Sequence, residues 1–152
     1  MKKILFLLSA VILLFTSCEG PAGRDGFDGE DTKWFVKTYT IRTGDWQLVN
    51  GVDALNSYYK AEVIIPELSR FVYEKGNVFC YMFQEIDGTE VQTLLPFSLP
   101  IGIESKGGEE IWTETYACDF TPGSIMFYVN HSDFYTGRGR PGTTSFRVVL
   151  NW

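Results

Sequence analysis

Few side chains in this sequence are equipped for chemistry. His131 is the single histidine, set in Asn130-His131-Ser132-Asp133, where a hydroxyl, an imidazole and a carboxylate follow one another. A Ser/His/Asp triad is assembled by the fold from distant segments, so adjacency argues for a polar loop at a strand end. The chain also has no Gly-x-Ser-x-Gly elbow. Glu104, Glu109, Glu110 and Glu114 raise a glycan-hydrolase alternative, because glycosidases hold two carboxylates about 5–9.5 Å apart across a cleft. Their linear order places no such pair, and Gly107-Gly108 beside them reads as an acidic loop.

Cys80 and Cys118 each fall in an apolar run. In an oxidising compartment they can pair as a disulfide; otherwise they pack as two buried thiols. Neither lies at metal-ligand spacing from a histidine or a second thiol, so no metal site and no cofactor is expected. Gly137-Arg138-Gly139-Arg140-Pro141-Gly142 is glycine-rich and basic, but follows no strand–helix step that would cradle phosphate. It reads as a long hairpin loop. Exposed arginines and aromatics favour interfaces, which makes Trp46, Phe134, Tyr135, Arg138 and Arg140 the candidate ligand contacts. Tyr58 and Tyr59 join Trp46, Phe134 and Tyr135 as stacking faces if the ligand is a carbohydrate.

These residues must be positioned by strands. From Lys33 onward, short β-rich runs alternate with Gly, Pro, Asn and Asp. Strands are expected over 33–41, 46–49, 57–65, 77–85, 90–95, 111–120, 124–130 and 144–152. Asn50-Gly51 and Asp87-Gly88 are turn dipeptides, and the second closes the clearest hairpin. Pro66 to Lys75 reads as one or two helical turns stopped by Gly76. Pro96 and Pro100 confine Phe97-Ser98-Leu99 to a sheet edge, since proline cannot donate to a ladder. The expectation is an all-β antiparallel sandwich of about seven to eight strands, immunoglobulin-like or jelly-roll-like. Both faces of 78–83 are apolar, so that strand is expected to be covered on both sides. Phe146, Val148 and Leu150 form the core face of the last strand.

The first eighteen residues have another task. Lys2 and Lys3 precede an apolar run from Ile4 to Phe15, then Thr16, Ser17 and Cys18. A basic start, an apolar middle and a small-residue cleavage site make an export signal, too short for a spanning helix of roughly 20 apolar residues. Removing residues 1–17 takes away two lysines and no acid, leaving 135 residues with net charge near −8. Such a surface repels nucleic acid. Glycine then recurs at Gly20, Gly23, Gly26 and Gly29, a collagen-like period, and the triplets are too few and proline-poor to hold a triple helix alone. They read as a flexible spacer whose Asp25, Asp28, Glu30 and Asp31 solubilise it rather than bind calcium.

Leu14-Phe15-Thr16-Ser17-Cys18 resembles the lipobox of bacterial lipoproteins, with Phe15 where Leu is commonest. Lipobox, Gly-x-y triplets and a small β domain together resemble a lipoprotein type common in Bacteroidetes. The resemblance implies lipid on Cys18, membrane anchoring at the cell envelope, here the outer membrane, and no activity that can be carried over. The expected organisation is a signal peptide over 1–17, a lipidated stalk over 18–32 and a β-sandwich over 33–152. The expected partners are the bilayer and an envelope protein or glycan. The expected role is non-catalytic, with a carbohydrate-binding module as the alternative.

Overall fold

Alternation along each strand decides which side chains reach the core, and the computed structural model describes residues 32–105 and 108–152, where that pattern can be followed. Cys18, the export signal and the stalk lie outside the described residues. Nine strands are formed: β1 (Trp34–Ile41), β2 (Gln47–Val49), β3 (Tyr58–Ile64), β4 (Asn77–Ile86), β5 (Thr89–Leu94), β6 (Phe97–Ser105), β7 (Gly108–Thr121), β8 (Ser124–His131) and β9 (Thr144–Asn151). They build two antiparallel sheets, one ordered β1-β9-β4-β5 and the other β2-β3-β8-β7-β6. The protein is therefore an all-β sandwich, as the strand pattern implies.

The inner rows are strict. Phe146, Val148 and Leu150 of β9 are buried opposite Ile125, Phe127 and Val129 of β8, with Cys80 and Met82 of β4 and Tyr59 and Ala61 of β3 beside them. Phe127 and Phe146 stack with centroids 4.3 Å apart, and Trp46 meets Phe146 edge-on at 6.3 Å. Such pairs contribute about 0.5–1.5 kcal/mol beyond the area they bury.

The turns follow the residues that permit them. Asp87 and Gly88 both take positive φ in the two-residue hairpin between β4 and β5. One short helix, α1 (Arg70–Lys75), is capped by Ser69, whose hydroxyl accepts from the Val72 amide. Gly76 ends it for want of space rather than for φ: a Cβ there would lie 2.7 Å from the Asn151 carbonyl oxygen and 2.8 Å from that of Val72. The helix is shorter than the 66–75 segment: it starts only after its N-cap Ser69, and the residues before it form a turn in which the Leu68 amide donates to the Ile65 carbonyl.

Two expectations are corrected. The segment Phe97-Ser98-Leu99 belongs to a longer strand, β6, which raises the count to nine; it is an edge strand, the place its prolines allow. And β4 is covered on one side only. Cys80 and Met82 are buried, but Phe79 is 39% exposed on the other face, among the described residues. Its continuous apolar run reflects an open aromatic sheet face instead of a second covering layer.

Candidate functional site

The β8–β9 loop carries Ser132, Asp133, Arg138 and Arg140, and the fold uses them internally. Arg138 lies between two aromatic rings, its guanidinium carbon 3.9 Å from the Trp112 centroid and 4.8 Å from that of Tyr135. Its Nη2 pairs with Asp133 at 2.8 Å and Glu110 at 3.4 Å. With 16% of its side chain exposed, Arg138 is a clamp holding the loop, not a free cation. The Arg138 charge correspondingly holds the Asp133 carboxyl below its ordinary range. Asp53, with φ of 50°, locks the loop from the β2–β3 side. Its Oδ1 accepts from the amides of Thr136 at 2.7 Å and Gly137 at 2.9 Å, while its own amide donates to the Thr136 hydroxyl.

Beneath the loop His131 meets Glu114. His131 ends the inner row of β8, 5% exposed, and Glu114 lies on the inner row of β7. The imidazole Nδ1 lies 2.9 Å from the Tyr135 carbonyl, which can only accept, and Nε2 lies 3.4 Å from Glu114 Oε1. Both ring nitrogens thus face oxygens, an arrangement that favours the imidazolium over either neutral tautomer. Its pKa is raised accordingly, first by the Glu114 hydrogen bond. Glu114 also accepts from Trp112 Nε1 and from the Tyr116 hydroxyl, and its pKa is lowered, His131 being the largest cause. A glycosidase acid needs the opposite shift. The other acids are apart from it: Glu104 and Glu109 are paired in register on β6 and β7, and Glu110 holds Arg138.

Of the candidate ligand contacts, Trp46 is corrected outright. It is 1% exposed in the core, its indole N–H donating to the Gly142 carbonyl, because the turn after β1 folds it beneath β9. Tyr59 is likewise buried, donating to the Thr136 carbonyl. Tyr135 is exposed on one side and packs Arg138 on the other; Phe134 is half-buried with φ of 56°. Arg140 reaches the Gly44 carbonyl at 3.3 Å. Tyr58 stands on the outer face of the five-stranded sheet, edge-on to Tyr128. Cys80, buried on β4, and Cys118, half-buried on β7, are both free thiols. Among the described residues no cluster of His, Cys, Asp or Glu could hold a metal, and no helix is long and apolar enough to cross a membrane.

The surface that sequence reasoning missed is the outer face of the four-stranded sheet. Register aligns Val36, Val149 and Phe79 in one row across β1, β9 and β4. The next row is Thr38, Arg147, Tyr81 and Leu94. Trp34 stands at the corner, 63% exposed. Trp34, Val36, Tyr81, Gln92, Arg147 and Val149 line an open depression of about 500 Å³. Arg147 donates to Gln92 at 3.2 Å. Exposed apolar groups gathered this way mark interaction surfaces more often than scattered ones do. The signal was present in sequence as the second apolar face of 78–83.

Neither sequence nor fold finds a counterpart: no family model, no curated protein and no solved structure matches this chain.

The His131–Glu114 pair has a readable pH dependence. A histidine whose pKa is raised on folding stabilises fully below its unfolded pKa of about 6.5, and loses that contribution as pH rises through the folded value. Glu114, lowered on folding, contributes above about 4.3 and loses it as pH falls. The difference in thermal midpoint between wild type and His131→Gln should therefore be largest between about pH 4.5 and 6.5 and shrink on the alkaline side. A difference independent of pH from 4.5 to 8.5 would show that the pair is not ionised.

Proposed function

We propose that this chain is a lipid-anchored lipoprotein of the bacterial cell envelope, held at the outer membrane, whose β-sandwich is a binding module rather than a catalyst. The observation that carries the binding role is the gathering of exposed Trp34, Val36, Phe79 and Leu94 around half-buried Tyr81 in adjacent rows of one sheet face. Side chains so placed give up little on folding and regain apolar burial only by meeting a partner. The tether rests on the basic start, the apolar run and the small residues before Cys18. Acyl chains add about 0.8 kcal/mol per buried methylene, so attachment asks nothing of the folded domain.

A carbohydrate is the second reading, and one feature favours it. Arg147 and Gln92 sit in the same depression as the Trp34 and Tyr81 rings. Planar donors beside aromatic faces suit a sugar, whose edge is hydroxylated and whose C–H face is apolar. An envelope protein remains the first reading because the apolar rows extend beyond that depression to Phe79 and Leu94.

Two outcomes are expected. Cys18→Ala should move the protein from the membrane fraction to an unlipidated precursor or soluble form; partition unchanged from wild type overturns the anchor. When the full chain is screened against a glycan array and envelope extracts, Trp34→Ser with Tyr81→Ser should lower affinity at least tenfold. Tyr58→Ala, on the opposite sheet, should leave it unchanged. Saturable sugar binding would select the carbohydrate reading, and a protein partner would select the first. Binding lost equally in the Tyr58→Ala control, or untouched in the double variant, would overturn the assignment to this face.

A further inference from the structure

Register orders the outer face of the five-stranded sheet into rows across β3, β8 and β7. Tyr58, Asn130 and Thr115 form one row, Lys60, Tyr128 and Ala117 the next, and Glu62, Met126 and Asp119 a third. Between the first two rows a pair of tyrosine rings makes a corner. Tyr58 and Tyr128 have centroids 6.3 Å apart and planes inclined at 72°. The Tyr128 hydroxyl reaches the third row and donates to Asp119 Oδ1 at 3.4 Å. Tyr58, Tyr128, Asp119, Met126 and Asn130 together line a hollow of about 230 Å³. Ala117, in register with Tyr128, adds only a methyl group on the β7 side of that ring.

The charge of this hollow is not balanced by the chain. Asp119 forms no ion pair among the described residues. Lys60, the nearest cation in register, pairs with no acid and lies over neither ring, again among the described residues. Elsewhere the protein covers such rings with its own cations. Arg138 lies between Trp112 and Tyr135, and the Lys37 ammonium is 5.1 Å from the Tyr39 centroid. The Tyr58–Tyr128 corner, with a carboxylate at its rim, receives no such side chain.

We propose that this hollow binds a methylated ammonium group, as in choline, with the two tyrosine rings against its methyl shell and Asp119 facing its charge. Aromatic faces attract a cation through the ring quadrupole, and two rings near a right angle can touch two sides of one tetrahedral group. The Met126 thioether adds a polarizable, apolar wall that suits methyl groups. A primary ammonium is compact and strongly hydrated, and gives up more water for the same contacts. The acidic balance of the chain favours cations over anions at this surface. The group occurs both in free amines and on lipid headgroups, and the hollow recognises the chemistry they share. The site is on the sheet opposite the Trp34 face, goes beyond the binding role proposed above and does not depend on it.

The test is calorimetric titration of the full chain with choline, ethanolamine and the uncharged tert-butyl isostere of choline. Choline should bind saturably, and the other two roughly tenfold more weakly. Asp119→Asn and Tyr128→Leu should each lower choline affinity by roughly fivefold or more, while Tyr128→Phe, which keeps the ring, should stay within about twofold. Asp119 is exposed, so Asp119→Asn reads the site even if Tyr128→Leu disturbs the sheet. Glycerophosphocholine separates the sources: affinity equal to that of choline identifies a lipid headgroup, and binding of choline alone identifies the free amine. No saturable choline binding, equal binding of the uncharged isostere, or unchanged affinity in Asp119→Asn would overturn the proposal. Ethanolamine binding as tightly as choline would overturn the choice of a methylated ammonium, and loss in Tyr128→Phe as deep as in Tyr128→Leu would overturn the role of the ring.

Discussion

Two phenylalanine rings hold this fold at its centre. Phe127 comes from the five-stranded sheet and Phe146 from the four-stranded one, and they stack 4.3 Å apart with an interplanar angle of 21°. The turn after β1 brings Trp46 edge-on to Phe146, and the crossing from β3 carries Ile65 and Leu68 into the same interior. The β8–β9 crossing then has to travel from one ring's strand to the other's, and it does so as the loop braced by Asp53 and clamped through Arg138. The polar residues of that loop are thus the cost of joining two packed sheets, and their hydrogen bonds are spent on the protein itself.

That division explains where function can reside. Period two sends half of each strand's side chains inward and the other half out. On β8 the outward residues are Met126, Tyr128 and Asn130. On β4 they are Phe79, Tyr81 and Phe83, flanked by Val149 and Val36. The four-stranded sheet thus turns more aromatics outward, Trp34, Phe79, Tyr81 and Phe83 against Tyr58 and Tyr128 on the other. The acidic chain also places Arg147 in the aromatic face, with Gln92 as its hydrogen-bond partner. The asymmetry is built into the order of residues and needs no rearrangement to appear.

Much of the architecture was legible in sequence. Turn chemistry marked Asp87-Gly88, and alternation assigned Phe146, Val148 and Leu150 to the core; both depend on neighbours in the chain. What escaped depends on tertiary position. Trp46 looked available because nothing local buries it; the ring that does, Phe146, lies a hundred residues away. Arg138 looked like a free cation because Trp112 and Glu110 approach it from another strand. The doubly apolar face of β4 was read as a double covering, since sequence records hydrophobicity and not what stands opposite. The four residues Asn130 to Asp133 show the converse: only the histidine turns inward, and its partner is Glu114 rather than its neighbours in sequence.

A closed aromatic core coexists with an open aromatic sheet face. Hydroxyl-radical footprinting of the full chain, read residue by residue by mass spectrometry, addresses it directly. Trp34 and Phe79 should label rapidly while Trp46, Phe127 and Phe146 stay protected, since the first two are exposed and the others buried. Protection of Trp34 and Phe79 as deep as that of Trp46 would contradict it, showing that the face is already covered in the protein alone.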